Sequence, residues 1–303
     1  MTPLSTPPPA TAPAGLLARW AALMRPHQWI KNGFVLIGIV FAHRWTDRPS
    51  VIAATLALAA FCAMASAVYI YNDLVDAEAD RRHPVKRDRP IASGAVPVWQ
   101  ARMLAGVLAA LGLGLAGAVS LTALELVACY GALNLAYTHR LKHMVILDVF
   151  TISLGFMLRI LTGTVGLGIQ PSSWLMLCGL MITLFLGFAK RRSELLANRR
   201  GDARTREVLR AYQPEVLDQF LAVTAGAAVL SYALYTLSPE TVAVHRTDKL
   251  VYTLPFIVYG IFRYLYLLHG HGGGQDTARD LLADRHLLVT LALWLASTLL
   301  ILA

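Results

Sequence analysis

The segment Tyr69-Ile70-Tyr71-Asn72-Asp73-Leu74-Val75-Asp76-Ala77-Glu78-Ala79-Asp80-Arg81-Arg82 concentrates the chain's most reactive residue types. At 100° per residue, Asn72, Asp73, Asp76 and Asp80 fall within an arc of about 100° on a helix, while Glu78 points elsewhere. Four oxygen-bearing side chains on one face repel one another unless something positive sits between them. Magnesium carrying a diphosphate suits that face, because it takes carboxylates, keeps several waters and bridges to phosphate oxygens. Basic residues follow at once in Arg81, Arg82, Lys86, Arg87 and Arg89, before a turn at Pro90 and Gly94. Acid for the metal next to base for phosphate predicts Asn72, Asp73, Asp76 and Asp80 as metal ligands. Asp73 and Asp76 are then the catalytic pair, and Lys86 and Arg87 substrate contacts. The plainer reading is a helix leaving an apolar layer into a charged loop. Against it, Asn72 and Asp73 directly follow an uninterrupted apolar run, where ionisable groups are costly and usually functional.

A second polar face closes another apolar run, at Lys190-Arg191-Arg192-Ser193-Glu194-Leu195-Leu196-Ala197-Asn198. Lys190, Arg191, Glu194 and Asn198 again share about 100° of helix surface. That face suits phosphate, with plain cytoplasmic charge as the competing reading. Gln28 and Lys31, and then Arg140 and Lys142 on a short loop, add candidate phosphate contacts. Asp148 reads equally as a functional carboxylate or a solvated helix start. Arg159 and Arg263 lie inside apolar runs, so each needs a partner or a polar cavity. His269 and His271 flank glycines and read better as a flexible loop than as a metal site. No Ser/His/Asp or Cys/His arrangement stands at convincing spacing.

The elements that must position these residues are membrane helices. Of 303 residues, 56% are hydrophobic and 15% charged, with mean hydropathy +0.55; an average soluble domain has about 25% charged residues. The apolar residues come in continuous blocks near 26–43, 51–75, 101–119, 122–138, 146–166, 173–190, 217–237, 250–268 and 286–303. Their lengths suit helices crossing about 30 Å of hydrocarbon, and their continuity argues against a barrel. The expected fold class is therefore all-α integral membrane with nine transmembrane helices.

With the N-terminus inside, Arg44, Arg48, Arg246 and Lys249 lie outside, Arg159 and Arg263 lie within helices, and the remaining 21 of 27 Lys and Arg fall inside. The positive-inside rule then puts the N-terminus and the acidic motif at the cytoplasm. The net charge of +9 gathers on that face, where it favours anionic lipid and phosphorylated substrates. Nucleic acid is a poor partner, since no soluble recognition module is left over. Residues 1–20, rich in Pro, Thr and Ala, are expected to be a disordered tail before a catalytic domain at 21–303. They lack the basic start and apolar core of a signal peptide. Cys62, Cys129 and Cys178 all fall in apolar blocks and read as packing residues.

Asn72-Asp73-x-x-Asp76-x-x-x-Asp80, followed by Lys86-Arg-Asp-Arg-Pro-Ile-Ala-Ser-Gly94, resembles the first aspartate motif of the UbiA superfamily of membrane prenyltransferases. The resemblance implies that family's nine-helix bundle and Mg2+ as cofactor. Typical members carry a second aspartate-rich motif after helix 6, where this chain has the Lys190–Asn198 face. With Arg25-Pro-His-Gln28-Trp-Ile-Lys31-Asn32 and Tyr137-Thr-His-Arg140-Leu-Lys142-His, the pattern is similar to the decaprenyl-phosphate phosphoribosyltransferase subfamily. That resemblance implies a transfer from 5-phosphoribosyl 1-diphosphate to a polyprenyl phosphate, for a lipid-linked arabinose donor. It extends the substrate-binding set to Gln28, Lys31, Lys86, Arg87, Tyr137, Arg140, Lys142, Arg159, Lys190, Arg191 and Glu194. It also implies a bacterial-type inner membrane with lipid around the bundle, and is compatible with a homo-oligomer. Two other readings stand: a prenyltransferase acting on an aromatic or other acceptor, and a lipid transporter. A transporter should show repeat symmetry and broken helices near the midplane, and no convincing repeat is present.

Overall fold

The structure, a computed structural model, describes residues 15–84, 86–199, 207–270 and 283–302. Among them the secondary structure is helical throughout, with no strand. Twelve α-helices follow in chain order: α1 (Leu16–Met24), α2 (Ile37–Phe41), α3 (Arg48–Val75), α4 (Ala77–Arg81), α5 (Val98–Val119), α6 (Leu121–His139), α7 (Leu147–Gly163), α8 (Ser173–Arg199), α9 (Pro214–Leu237), α10 (Pro239–His245), α11 (Leu254–Gly270) and α12 (Arg285–Leu302).

Seven helical segments are long and apolar enough to cross a membrane, and they coincide with seven of the nine expected blocks. The other two differ in instructive ways. The block expected at 26–43 is a 3-10 run, Pro26–Leu36, followed by the five residues of α2. The block at 122–138 is a continuous 19-residue helix, α6, whose Glu125, Asn134, Tyr137 and Thr138 dilute its apolar character. Helix also begins at Leu16, so the boundary expected at residue 21 falls inside α1; residues 1–14 lie outside the described part.

The centre of the bundle is α3. Asp47 caps its start by accepting from the Ser50 N–H at 3.1 Å, with Pro49 in its first turn, satisfying an otherwise orphaned donor. Its buried face is built largely of alanine, with Phe61, Met64 and Val68 between. Small side chains let neighbours come close: a Cβ on Gly112 of α5 would lie 3.0 Å from the Ala60 carbonyl oxygen. The apolar core runs through two clusters. One joins α3, α5 and α6 to Leu158 of α7, and the other joins α8, α9, α11 and α12 to Val149 of α7. Helix α7 thus belongs to both halves. A third cluster of Leu23, Ile70, Ile91, Val96 and Ala101 supports the end of α3 where the acidic motif lies. Met103, Val107 and Leu111 on α5 and Leu291, Leu295 and Leu300 on α12 face outward and form an exposed apolar surface.

Candidate active site

Helix α3 ends at Val75 and α4 starts at Ala77, with Asp76 at φ −86° and ψ 0° between them. The residue spacing predicts one continuous helix here. The break is slight, because Asp76 N–H still donates to Asn72 O at 2.9 Å and Asp80 N–H to Asp76 O at 2.8 Å. The four expected ligands therefore stay on one side. Asp73 and Asp80 are 3% and 4% exposed, whereas the Asp76 side chain is 41% exposed.

The positive charge that this face demands is supplied in the structure by arginine. Arg25 Nη2 donates to both Asp73 oxygens, at 2.6 and 2.8 Å. Arg89 Nη1 bridges Asp73 Oδ1 at 3.0 Å and Asp80 Oδ2 at 2.7 Å. Buried carboxylates require such compensation. Arg25 occupies the left-handed region, φ 52°, as the C-cap of α1, and its guanidinium lies over the Tyr69 ring. Pro26 follows, so the chain must leave the helix there. Asp76 meets Lys142 Nζ at 3.1 Å, from a 3-10 turn (Leu141–His143) between α6 and α7. Asn72 Oδ1 accepts from the Thr138 hydroxyl of α6, and Tyr71 Oη lies 2.8 Å from His139 Nε2. Among the sequence-expected residues, Asp73 and Asp80 are thus joined through Arg89 and Asp76 pairs with Lys142, whereas Asn72 bonds to Thr138. Arg25 and Arg89 carry no sequence signal beyond their charge, and Thr138 has none beyond its place beside Tyr137.

The remaining candidates divide. Lys86 and Arg87 sit on a short 3-10 turn (Lys86–Asp88) leading into Arg89, Lys86 half-buried and Arg87 exposed. Gln28 and Lys31 are half-buried on the 3-10 segment that Arg25 opens. Tyr137 is half-buried at the end of α6, and Arg140, two residues before Lys142, is exposed. The α8 face departs from expectation. Lys190 is half-buried there, and the side chain of Asn198 is outside the described part. Arg191 is fully buried, its Nε 3.1 Å from Asp148 Oδ2, and it also pairs with Glu194. Asp148 is fully buried too and accepts from Tyr212 Oη at 2.8 Å. Arg191, expected to meet substrate, is thus paired with Asp148 and with Glu194, because a guanidinium without solvent must find anions. Burial, and then the bond it donates to Asp148, push the Tyr212 hydroxyl well above its ordinary range.

Arg159 stands apart from the acidic cluster. It is buried in α7, donating to Asn32 Oδ1 at 2.8 Å, Gly155 O at 2.8 Å and Tyr130 Oη at 2.9 Å, against the rings of Phe61, Tyr130 and Phe156. Cys62 shares the site through Asn32 Nδ2 at 3.3 Å. None of these partners belongs to the acidic cluster, and through them Arg159 ties α7 to α6 and to the Pro26–Leu36 segment. Arg263 grips Asp284, the N-cap of α12, at 2.8 and 3.3 Å, and those hydrogen bonds hold the Asp284 carboxyl down at about 2. His269 pairs with Asp218, and His271 lies outside the described residues.

Among the described residues no three acidic, His or Cys groups converge into a ready metal cage. Magnesium is commonly held by one or two carboxylates plus substrate phosphates and water. The donor set here fits that use, with half-exposed Asp76 and the Asn72 amide oxygen beside two carboxylates held in place by Arg25 and Arg89.

Residues 33–283 match the UbiA prenyltransferase family. The chain belongs to that family. It is 36% identical over 282 residues to a decaprenyl-phosphate phosphoribosyltransferase of Corynebacterium glutamicum, covering 89% of this chain and 82% of the relative. It is 33% identical to the enzyme of the same name from Mycolicibacterium smegmatis, covering 96% and 94%. In fold it is similar to a UbiA homolog from Archaeoglobus fulgidus bound to GPP and Mg2+, with a TM-score of 0.72 and 18% identity, covering 94% of this chain and 99% of that one. The same homolog bound to DMAPP and Mg2+ gives 0.71. The UbiA fold places the α3–α4 acidic cluster at one end of the bundle, with Arg25, Arg89 and Lys142 drawn to it from three separate segments.

Proposed function

We propose that this UbiA-family protein is a membrane pentosyltransferase. It transfers the 5-phosphoribosyl group of 5-phosphoribosyl 1-diphosphate to a polyprenyl phosphate of decaprenyl type and releases diphosphate. The observation that carries the reading is the similarity, over nearly the whole chain, to enzymes named for that transfer. The site supports it: among the described residues the acidic cluster at the end of α3 is ringed by cations, while the end of α8 carries one paired carboxylate, Glu194, among basic residues.

In the reaction the C1–O bond to diphosphate breaks and an oxygen of the lipid phosphate forms the new bond to C1. Magnesium, when bound, neutralises the leaving diphosphate, and Asn72 and Asp76 with Asp73 and Asp80 are the residues that would hold it. Positive charge developing at C1 is stabilised by the carboxylates that Arg25 and Arg89 keep fixed, an effect of preorganised charge. The acceptor is already anionic at neutral pH, so no strong general base is needed. Lys142, Arg140, Lys86, Arg87, Lys31, Gln28, Tyr137 and Lys190 remain for the phosphates of donor and acceptor. Residues 21–303 form the catalytic unit in this reading, and its nine apolar segments, including 26–43 and 122–138, lie in a bacterial inner membrane. The N-terminus and the site face the cytoplasm, as the distribution of Lys and Arg favours.

The test is an assay in detergent with magnesium, radiolabelled 5-phosphoribosyl diphosphate and a polyprenyl phosphate. Label passes into the organic phase with the wild type and falls by about a hundredfold or more in Asp73→Ala and Asp76→Asn. No transfer, together with turnover of a prenyl diphosphate on an aromatic acceptor, refutes the phosphoribosyl assignment.

A further inference from the structure

The residue before α7, Ile146, has φ 69° and ψ −47°, and the Leu147 N–H donates to Val145 O at 2.8 Å. This is a γ-turn with positive φ, a rare and strained arrangement. For a β-branched residue it is an outright backbone outlier. Such strain persists only where the surroundings over-determine it, and it collects at working sites. The Ile146 side chain is 38% exposed, so its packing does not explain the turn.

The backbone amide does. Ile146 N–H donates to Tyr212 Oη at 2.6 Å, and Tyr212 donates in turn to Asp148 Oδ1 at 2.8 Å. Asp148 is fixed by Arg191, and both are fully buried. Tyr212 is itself buried and reaches the turn from the segment just before α9. Four residues upstream of Ile146, the same connection carries Lys142 on Asp76. The link between α6 and α7 is therefore fastened at two points, one on the acidic cluster and one on Tyr212.

We propose that Tyr212 is a positioning residue: its hydroxyl holds the Ile146 γ-turn and thereby sets Lys142 beside Asp76 to receive a substrate phosphate. The role in phosphate binding rests on the phosphoribosyl-transfer reading, whereas the tether does not. Tyr212 acts through the loop and touches no reacting atom. The buried Arg191 network, which the sequence suggests for direct phosphate contact, becomes the anchor of this tether.

The experiment uses the full chain in detergent, with Tyr212→Phe, Ile146→Gly and the double variant. Hydrogen exchange of the 141–148 segment is measured without substrate, and KM and kcat are measured for the donor. Tyr212→Phe accelerates exchange in 141–148 by about tenfold, the scale of one lost hydrogen bond. Exchange in α9 stays unchanged, and the donor KM rises more than kcat falls. Glycine adopts positive φ freely, so Ile146→Gly alone stays within about threefold of wild type, and the double variant recovers most of the lost KM. Unchanged exchange in Tyr212→Phe overturns the proposal, as does faster exchange spread evenly over α7 and α9. A KM loss that Ile146→Gly fails to reduce marks a merely structural tyrosine and also overturns it. If the wild type transfers no phosphoribosyl group, the functional reading falls, and the exchange measurement still decides the tether.

Discussion

Asp73 takes both of its oxygens to arginine, and Arg89 shares one guanidinium nitrogen between Asp73 and Asp80. The cations that hold the acidic cluster come from positions 48 and 16 residues away. Removing one member of a buried charge cluster leaves an uncompensated charge, which costs about 3 kcal/mol or more. Arg89→Gln should therefore lower the melting temperature markedly in a magnesium-free buffer, and millimolar magnesium should restore part of the loss. Lys142→Gln, at the half-exposed Asp76, should show little of either effect. Thermal melts with and without EDTA measure the difference, and equal behaviour of the two variants would contradict the role given to Arg89. The acidic residues were legible in the sequence because they are contiguous and share one helix face. Arg25 and Arg89 were visible as charges but not as partners, because nothing local pairs a residue with one 48 positions away.

The 3-10 segment Pro26–Leu36 explains how one strand of chain reaches several levels of the bundle. Arg25 meets Asp73 and Asn32 meets Cys62, so the segment runs beside α3 with two fixed contacts. On α3 those levels lie about 16 Å apart, at 1.5 Å per residue. Seven residues of α-helix would span about 10 Å, whereas 3-10 rise gives about 14 Å, and the long Arg25 side chain covers the remainder. At its far end a methyl group on Gly163 of α7 would overlap the Val35 carbonyl, so only glycine permits that approach. Arg159 clamps the same segment through Asn32. Arg159→Met leaves the Asn32 oxygen and the Tyr130 hydroxyl unsatisfied, each at about 1–3 kcal/mol. Its melting temperature should fall by several degrees while the donor KM of the folded enzyme stays near wild type. A raised KM at unchanged stability would return Arg159 to the substrate site. A helix over 26–43 was the natural expectation from an apolar block, but length matching to α3 is a tertiary constraint that hydropathy does not carry.

Across the whole molecule, the end remote from the acidic cluster is pinned by a histidine pair. His43 Nε2 lies 2.6 Å from His245 Nδ1, and Tyr235 Oη lies 3.0 Å from His245 Nε2. Burial, reinforced by the neighbouring His43, lowers His245 to about 4. The folded state then binds fewer protons than the unfolded state between about pH 6.5 and about 4, so stability rises with pH across that window. This contribution is present above about pH 6.5 and is lost as pH falls toward 4. Melting temperatures in detergent from pH 7.5 to 4.5 should decline with acidification, and His245→Gln should flatten the decline. An unaltered profile in that variant would place the acid sensitivity elsewhere.

What the sequence determined by itself are properties that depend on composition and short-range order. Apolar blocks of membrane length and an acidic face at the end of α3 follow from residue type and helical period alone. The tertiary structure decided everything that depends on which distant segments meet. It assigned Arg25 and Arg89 to Asp73, paired Arg191 with Asp148, and sank Arg159 into an aromatic cage. It also drew out a 3-10 segment where a helix was expected and strained Ile146 against Tyr212. In each case the physical reason is the same. A buried charge or donor must find its partner, and in a helical bundle the nearest one is set by packing between elements, on which local sequence is silent.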